Sequence, residues 1–203
     1  MGWKEFRKGS HTRNKVWDGR HRFEHWYVDN QVYFITARVR GRLPGFRTAE
    51  AKAIFWDRFD HWISQSSYVP WVTSLQINHY HTLGYLKHGA DLPALMKRLH
   101  GSVAKLVNDR LPERIIPFWT DAGHQNYFDG CIRDVLQARR AYRYTLTQSQ
   151  RHRSGDWRND ANTRAPIAID RAIKRATELG AFLESVPYAR YDRRRARPSG
   201  VAT

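Results

Sequence analysis

Two apolar runs rich in β-branched and aromatic residues, VPWVTSLQ (residues 69–76) and HYHTLGYL (residues 79–86), are separated by Ile77 and Asn78 alone. Strand-like runs so closely spaced fold back on each other as a hairpin, because Asn tolerates tight turn geometry and a parallel crossover needs on the order of a dozen residues. The hairpin sets the frame for its neighbours. Upstream, QVYFITARV (residues 31–39) has strand composition, and GRLPGF breaks the chain before Thr48, a good helix N-cap followed by Glu50 in the first turn. Phe55, Phe59, Trp62 and Ile63 then recur at the spacing of one buried helical face, so a helix is expected to end near Ser66. Downstream, Asp91 is expected to cap a second helix, with Leu92, Leu95, Met96, Leu99, Val103 and Leu106 on one face and Lys97, Arg98 and Lys105 off it. RIIPFWT (residues 114–120) reads as the last strand. The order strand, helix, strand, strand, helix, strand predicts a ferredoxin-like α+β sandwich, an antiparallel sheet with its helices on one face.

A further helix is expected from about residue 129 to residue 152. Ile132, Val135, Tyr142 and Leu146 form its core-facing stripe, whereas Gln137, Arg140, Tyr144, Gln148 and Arg151 form the opposite, polar one. Tyr142 therefore reads as packing, and Tyr144 stands among cations about 200° around the helix. Residues 1–25 are basic without periodicity and read as an arm. Residues 26–152 read as the main domain. In residues 153–203 a loop precedes an amphipathic helix, from Pro166 to about Val186 through Ile169, Ile173, Ala176 and Leu183, and a basic tail follows.

The whole chain is as lopsided as its ends: 35 Lys and Arg against 19 Asp and Glu give a net charge of +16 over 203 residues. So large an excess argues against a typical small-metabolite enzyme and for a polyanionic partner, and eight Trp supply surfaces on which bases can stack. No apolar run is long enough to span a bilayer, and no signal segment opens the chain, so no membrane partner and a cytoplasmic location are expected. A single cysteine, Cys131, excludes an internal disulfide and a cysteine zinc site.

Side chains alternate along a strand, so His79 and His81 project from one face while Tyr80 points to the other. Two such imidazoles can share an ion or merely pack. With a carboxamide from a facing helix they form an open metal site that leaves positions for phosphate oxygen and water. Gln148 offers that group. It lies one turn beyond Tyr144, so YTLTQ (residues 144–148) sets a phenolic nucleophile beside a ligand, a spacing suited to phosphodiester attack.

Together these residues resemble the single-tyrosine HUH endonucleases, a family that includes insertion-sequence transposases and their REP-associated tyrosine transposase relatives. NHYH (residues 78–81) is similar to the family's His-hydrophobic-His strand. FWTDAGHQNYFDGCIRD (residues 118–134) looks like the segment leading into the tyrosine helix, and YRYTLTQSQRH (residues 142–152) like the tyrosine motif itself. The usual Met-Pro-Asn before the histidines is here Gln76, Ile77, Asn78, and the Asn-Pro that often follows the tyrosine in the REP-associated branch is Gln148, Ser149.

The resemblance implies cleavage of single-stranded or hairpin DNA by the hydroxyl of Tyr144, through a 5′-phosphotyrosine intermediate that allows strand transfer. It further implies a divalent cation, Mg²⁺ or Mn²⁺, on His79, His81 and Gln148. Arg140, Arg143 and Arg151 beside the tyrosine, with Lys97 and Arg98, are then expected to contact DNA, in a monomer or homodimer associated with a bacterial nucleoid. A non-catalytic single-stranded nucleic-acid binder on the same fold is the alternative, although no aromatic pair of the RRM type is evident. A hydrolase of small phosphoesters would want more carboxylates near the histidines.

Overall fold

The computed structural model describes residues 12–14, 25–119, 126–152 and 161–182. Among the described residues the strands are β1 (Thr12–Asn14), β2 (His25–Tyr27), β3 (Gln31–Arg38), β4 (Tyr68–Leu75), β5 (His79–Leu86), β6 (Phe128–Ile132) and β7 (Thr163–Arg164). The helices are α1 (Ala49–Ser64), α2 (Asp91–Asn108), α3 (Val135–Leu146), the single turn α4 (Gln148–Arg151) and α5 (Ile169–Glu178). β6, β3, β5, β4 and β7 lie side by side in that order, antiparallel at every pairing. With the helices inserted between β3 and β4 and between β5 and β6, this is the expected ferredoxin-like α+β arrangement, widened by β7. β1 pairs with β2 in a separate two-stranded ribbon, so a short piece of the basic arm is itself a strand.

The alternation of β3 and β5 divides the core into two. Tyr33, Ile35, Ala37, Tyr80 and Leu86 face α1 and α2, where Phe55, Phe59, Leu92, Leu95, Met96, Leu99 and Val103 meet them. Val32, Leu83 and Tyr85 face the other way, towards Ala138 and Tyr142 of α3 and Ala172, Ile173 and Ala176 of α5. The tyrosine-bearing helix thus covers the face that α1 and α2 leave open. Thr48 caps α1 as its sequence requires, its side chain accepting from Ala51 N at 3.1 Å.

Several boundaries differ from expectation. The fourth strand of the ferredoxin-like unit is FDGCI, not RIIPFWT. Pro117 has no N–H to give to a ladder, and the segment contributes only an isolated bridge, Val39 to Trp119, while Phe118 and Trp119 turn into the core. The following helix starts at Val135 instead of near residue 129, because Asp134 ends the strand and caps the helix by accepting from Gln137 N at 2.7 Å. Its buried stripe is accordingly Ala138, Tyr142 and Thr145, with Ile132 on the strand and Val135 exposed. In α2 the N-cap is Ala90. Asp91 stands one position inside, where it accepts a 2.6 Å hydrogen bond from Ser67 Oγ, and Val107 is buried where Leu106 was expected. The helix expected to begin at Pro166 begins at Ile169, and Leu183 with the basic tail lies outside the described residues.

Candidate active site

β5 is hydrogen-bonded on both sides, to β3 and β4. That central place buries both histidines. Tyr80 points to the α1 and α2 side, where it packs on Phe55 and its hydroxyl lies 2.8 Å from His100 Nε2. His79 and His81 point to the α3 side with ring centroids 4.9 Å apart. Antiparallel register sets Thr36 opposite His81 and Arg38 opposite His79. Thr36 Oγ1 is 2.7 Å from His81 Nδ1, and Asn78 Oδ1 is 2.7 Å from His79 Nδ1. In each ring Nδ1 has a partner, so Nε2 is the nitrogen that remains for a cation or, in His79, for the neighbouring Gln148.

Both imidazoles are held neutral. Burial lowers His79 from 6.5 to about 4, aided by the nearby His152 and Arg38 charges and opposed by a hydrogen bond with Gln148. Burial lowers His81 to about 3, with His79, Arg38 and His152 adding to it. A neutral imidazole at ordinary pH is the form a metal ion takes.

Over this pair lies the end of α3. Tyr144 packs edge-on against His81 at 5.2 Å and against Phe34 at 6.0 Å, while Phe34 stacks on His81 at 5.5 Å. The tyrosine is 37% exposed, and the Arg151 guanidinium lies 4.9 Å over its ring. Tyr142 is buried on the opposite side of the helix, as its stripe requires. The helix is interrupted at Thr147 and resumes as α4, whose first residue, Gln148, is only 1% exposed. Sequence placed Gln148 on an outward polar stripe. In the structure it turns inward, its Nε2 donating to Tyr144 O at 2.9 Å, which leaves Oε1 as the carboxamide atom able to act as a ligand.

Strand and helix thus bring Tyr144, His79, His81 and Gln148 together. The solved structure of a REP-associated tyrosine transposase bound to a REP hairpin is similar in fold. It matches with a TM-score of 0.58 over 73% of this chain and 88% of that one, at 13% sequence identity. No family model and no curated protein matches the sequence. At that identity the likeness establishes the fold.

The donor set suits a divalent cation in chemistry: two neutral imidazoles and one buried carboxamide, three donors where such a cation takes more. Among the described residues no group of three or more His, Cys, Asp or Glu forms a ready-made ion cage, so Gln148 and oxygen from substrate or solvent would have to complete the shell.

Arg140 and Arg143 are exposed on α3 with Tyr144, and Arg151 is exposed at the end of α4. Lys97 and Arg98 are not near them. Both lie on α2, across the sheet from the histidines, and Arg98 rests over the Trp62 ring at 5.6 Å. Sequence reasoning missed Thr36, Asn78, Phe34, Arg38 and His152, the last with its ring 4.9 Å from that of His79. Thr36, Phe34 and Arg38 become visible only through the register of β3 against β5, whereas Asn78 adjoins His79 in sequence and is held by the Arg42 carbonyl of a separate loop. His152 carried a weak signal of its own, one turn beyond Gln148.

Among the described residues no helix is long and apolar enough to cross a membrane.

Proposed function

We propose that this protein is a transposase-type endonuclease and strand transferase acting on single-stranded DNA beside a hairpin. One observation carries the reading: an exposed tyrosine packs on a pair of buried, neutral histidines that come from a strand far away in sequence, with a buried carboxamide one turn on. The fold similarity to a transposase bound to a hairpin supports it, as does the net charge of +16.

In this reading the Tyr144 hydroxyl attacks the scissile phosphorus and gives up its proton. The bond from phosphorus to the 3′ oxygen breaks, and that oxygen leaves as a hydroxyl after taking up a proton. The 5′ phosphate remains esterified to Tyr144, so the bond energy is kept for rejoining to another 3′ hydroxyl, with no nucleotide cofactor. A divalent cation, Mg²⁺ or Mn²⁺, held by His79, His81 and Gln148 would supply charge that orients the phosphate and offsets the charge building on it. Arg151, over the Tyr144 ring, and the neighbouring Arg143 and Arg140 hold the backbone of the incoming strand. Phe34, stacked on His81, keeps water from one side of the ring pair.

The test is direct: hairpin DNA with single-stranded flanks is incubated with the protein and Mn²⁺, then run on a denaturing gel. A protein–DNA adduct that forms with wild type and is lost in Tyr144→Phe is the expected result. Tight hairpin binding with no adduct under any condition would leave a non-catalytic binder of single strands.

A further inference from the structure

Asn78 is held at three points. Its backbone carbonyl accepts from Val39 N at 2.8 Å, its Nδ2 donates to Arg42 O at 3.0 Å, and its Oδ1 faces His79 Nδ1 at 2.7 Å. These contacts fix which way the carboxamide faces. Turned over, it would set its oxygen against the Arg42 carbonyl, two acceptors with no proton between them, and its N–H₂ against the histidine. With Oδ1 on the ring, the proton must sit on His79 Nδ1, and the lone pair falls on Nε2. The Arg42 carbonyl is itself held by unusual backbone: Gly41 and Arg42 both adopt positive φ, 58° and 60°, and Arg42 N bonds back to Val39 O at 3.1 Å. A left-handed arginine costs on the order of 1 kcal/mol, a strain that persists only where surrounding contacts hold it.

We infer that Asn78 is a positioning residue, whose Oδ1 fixes the tautomer and ring direction of His79, while the Arg42 carbonyl of the left-handed turn sets which end of the carboxamide faces the ring, a choice that a carboxylate, with oxygen at both ends, would not need. The inference rests on the proposed reading of His79 as a cation ligand. It adds what sets the ligand: an outer carboxamide, anchored on a separate loop, that keeps the proton off Nε2. Half-buried Asn78 touches neither cation nor phosphate in this scheme, so it acts through the histidine alone.

Two substitutions separate the two ends of the carboxamide. Asn78→Asp keeps an oxygen to accept from Nδ1 but loses the donor to Arg42, whereas Asn78→Ala loses both. Two readouts and one control are taken. Long-range ¹H–¹⁵N spectra of the metal-free protein, with the His79 signals assigned by their loss in His79→Gln, should show the Nδ1–H form in wild type and Asn78→Asp and a mixture of forms in Asn78→Ala. Mn²⁺ binding, followed by electron paramagnetic resonance, should weaken about 10- to 100-fold in Asn78→Ala and stay near wild type in Asn78→Asp. Hairpin binding in chelator should be equal in all three, which marks them as folded. An Nε2–H form in wild type overturns the inference, as does Asn78→Asp behaving like Asn78→Ala, or Asn78→Ala binding Mn²⁺ as tightly as wild type. A wild type that shows the Nδ1–H form yet binds no Mn²⁺ overturns the metal reading and, with it, the purpose assigned here to Asn78.

Discussion

Tyr142 and Tyr144 leave one helix in opposite directions, and their hydroxyls meet different surroundings. Tyr142 is buried, with its hydroxyl donating to Ile167 O at 3.1 Å. Tyr142→Phe should therefore cost about 1 kcal/mol of stability in urea melts and leave DNA cleavage in place. Tyr144→Phe should show the reverse, normal melting and no covalent adduct, and an exchange of these two behaviours would mean that the nucleophile is Tyr142. The histidines set the pH response. Burial lowers His79 to about 4, and His81 and His100 to about 3, from 6.5 in the unfolded chain. Between those values the unfolded state binds more protons than the folded one, so the stability these groups supply is complete above pH 6.5 and is lost as pH falls towards 4 and 3. Melting temperatures measured in chelator from neutral to acid pH should fall across that window, and a flat profile would mean that the three rings take up protons without leaving their places.

Elements with a clear period were legible from the sequence. α1 and α2 follow from apolar residues at helical spacing, and β3, β4 and β5 from β-branched and aromatic runs bounded by breakers. β6 was not, because FDGCI has little strand composition and is fixed by a neighbour: its ladder runs along β3, with Ile132 opposite Val32 and Asp129 opposite Ile35. The site divides in the same way. His79 and His81 carry a spacing signal along one strand, and Tyr144 and Gln148 one of a helical turn, whereas Thr36 acts across strands and depends on register, which no local pattern encodes, and Asn78, though next to His79, is anchored by Arg42 on a loop remote in sequence. Close approach between elements makes a prediction of its own. Gly84 on β5 lies opposite Pro70, beside an irregularity in β4, and a Cβ there would come within 2.5 Å of Val69 O and 2.6 Å of the Tyr68 ring. The Val69 carbonyl belongs to the sheet and cannot step aside. Gly84→Ala should cost roughly 1–3 kcal/mol in denaturant unfolding, and a variant of unchanged stability would show that the hairpin can spread at that point.

At the scale of the molecule, the proposed function makes charge and layering decide how DNA would be met. With a net charge of +16 the chain would gain affinity for it mainly by releasing counterions. If about six phosphates are neutralised, affinity should fall on the order of 10³-fold between about 50 and 200 mM salt. Titrations at several salt concentrations check this, and a shallow slope would point to stacking on aromatics as the main source of affinity. Since Lys97 and Arg98 lie across the sheet from Tyr144, replacing them with Ala should flatten that slope less than replacing Arg140, Arg143 and Arg151. The position of β5 between two partner strands has another outcome. Its amides can exchange with solvent only when the sheet itself comes apart, whereas α3 and α4 lie on the outside and can lift away at smaller cost. The two halves of the proposed catalytic apparatus should then keep different clocks in D₂O: the histidine strand exchanging at the rate of global unfolding, and the tyrosine helix well before it.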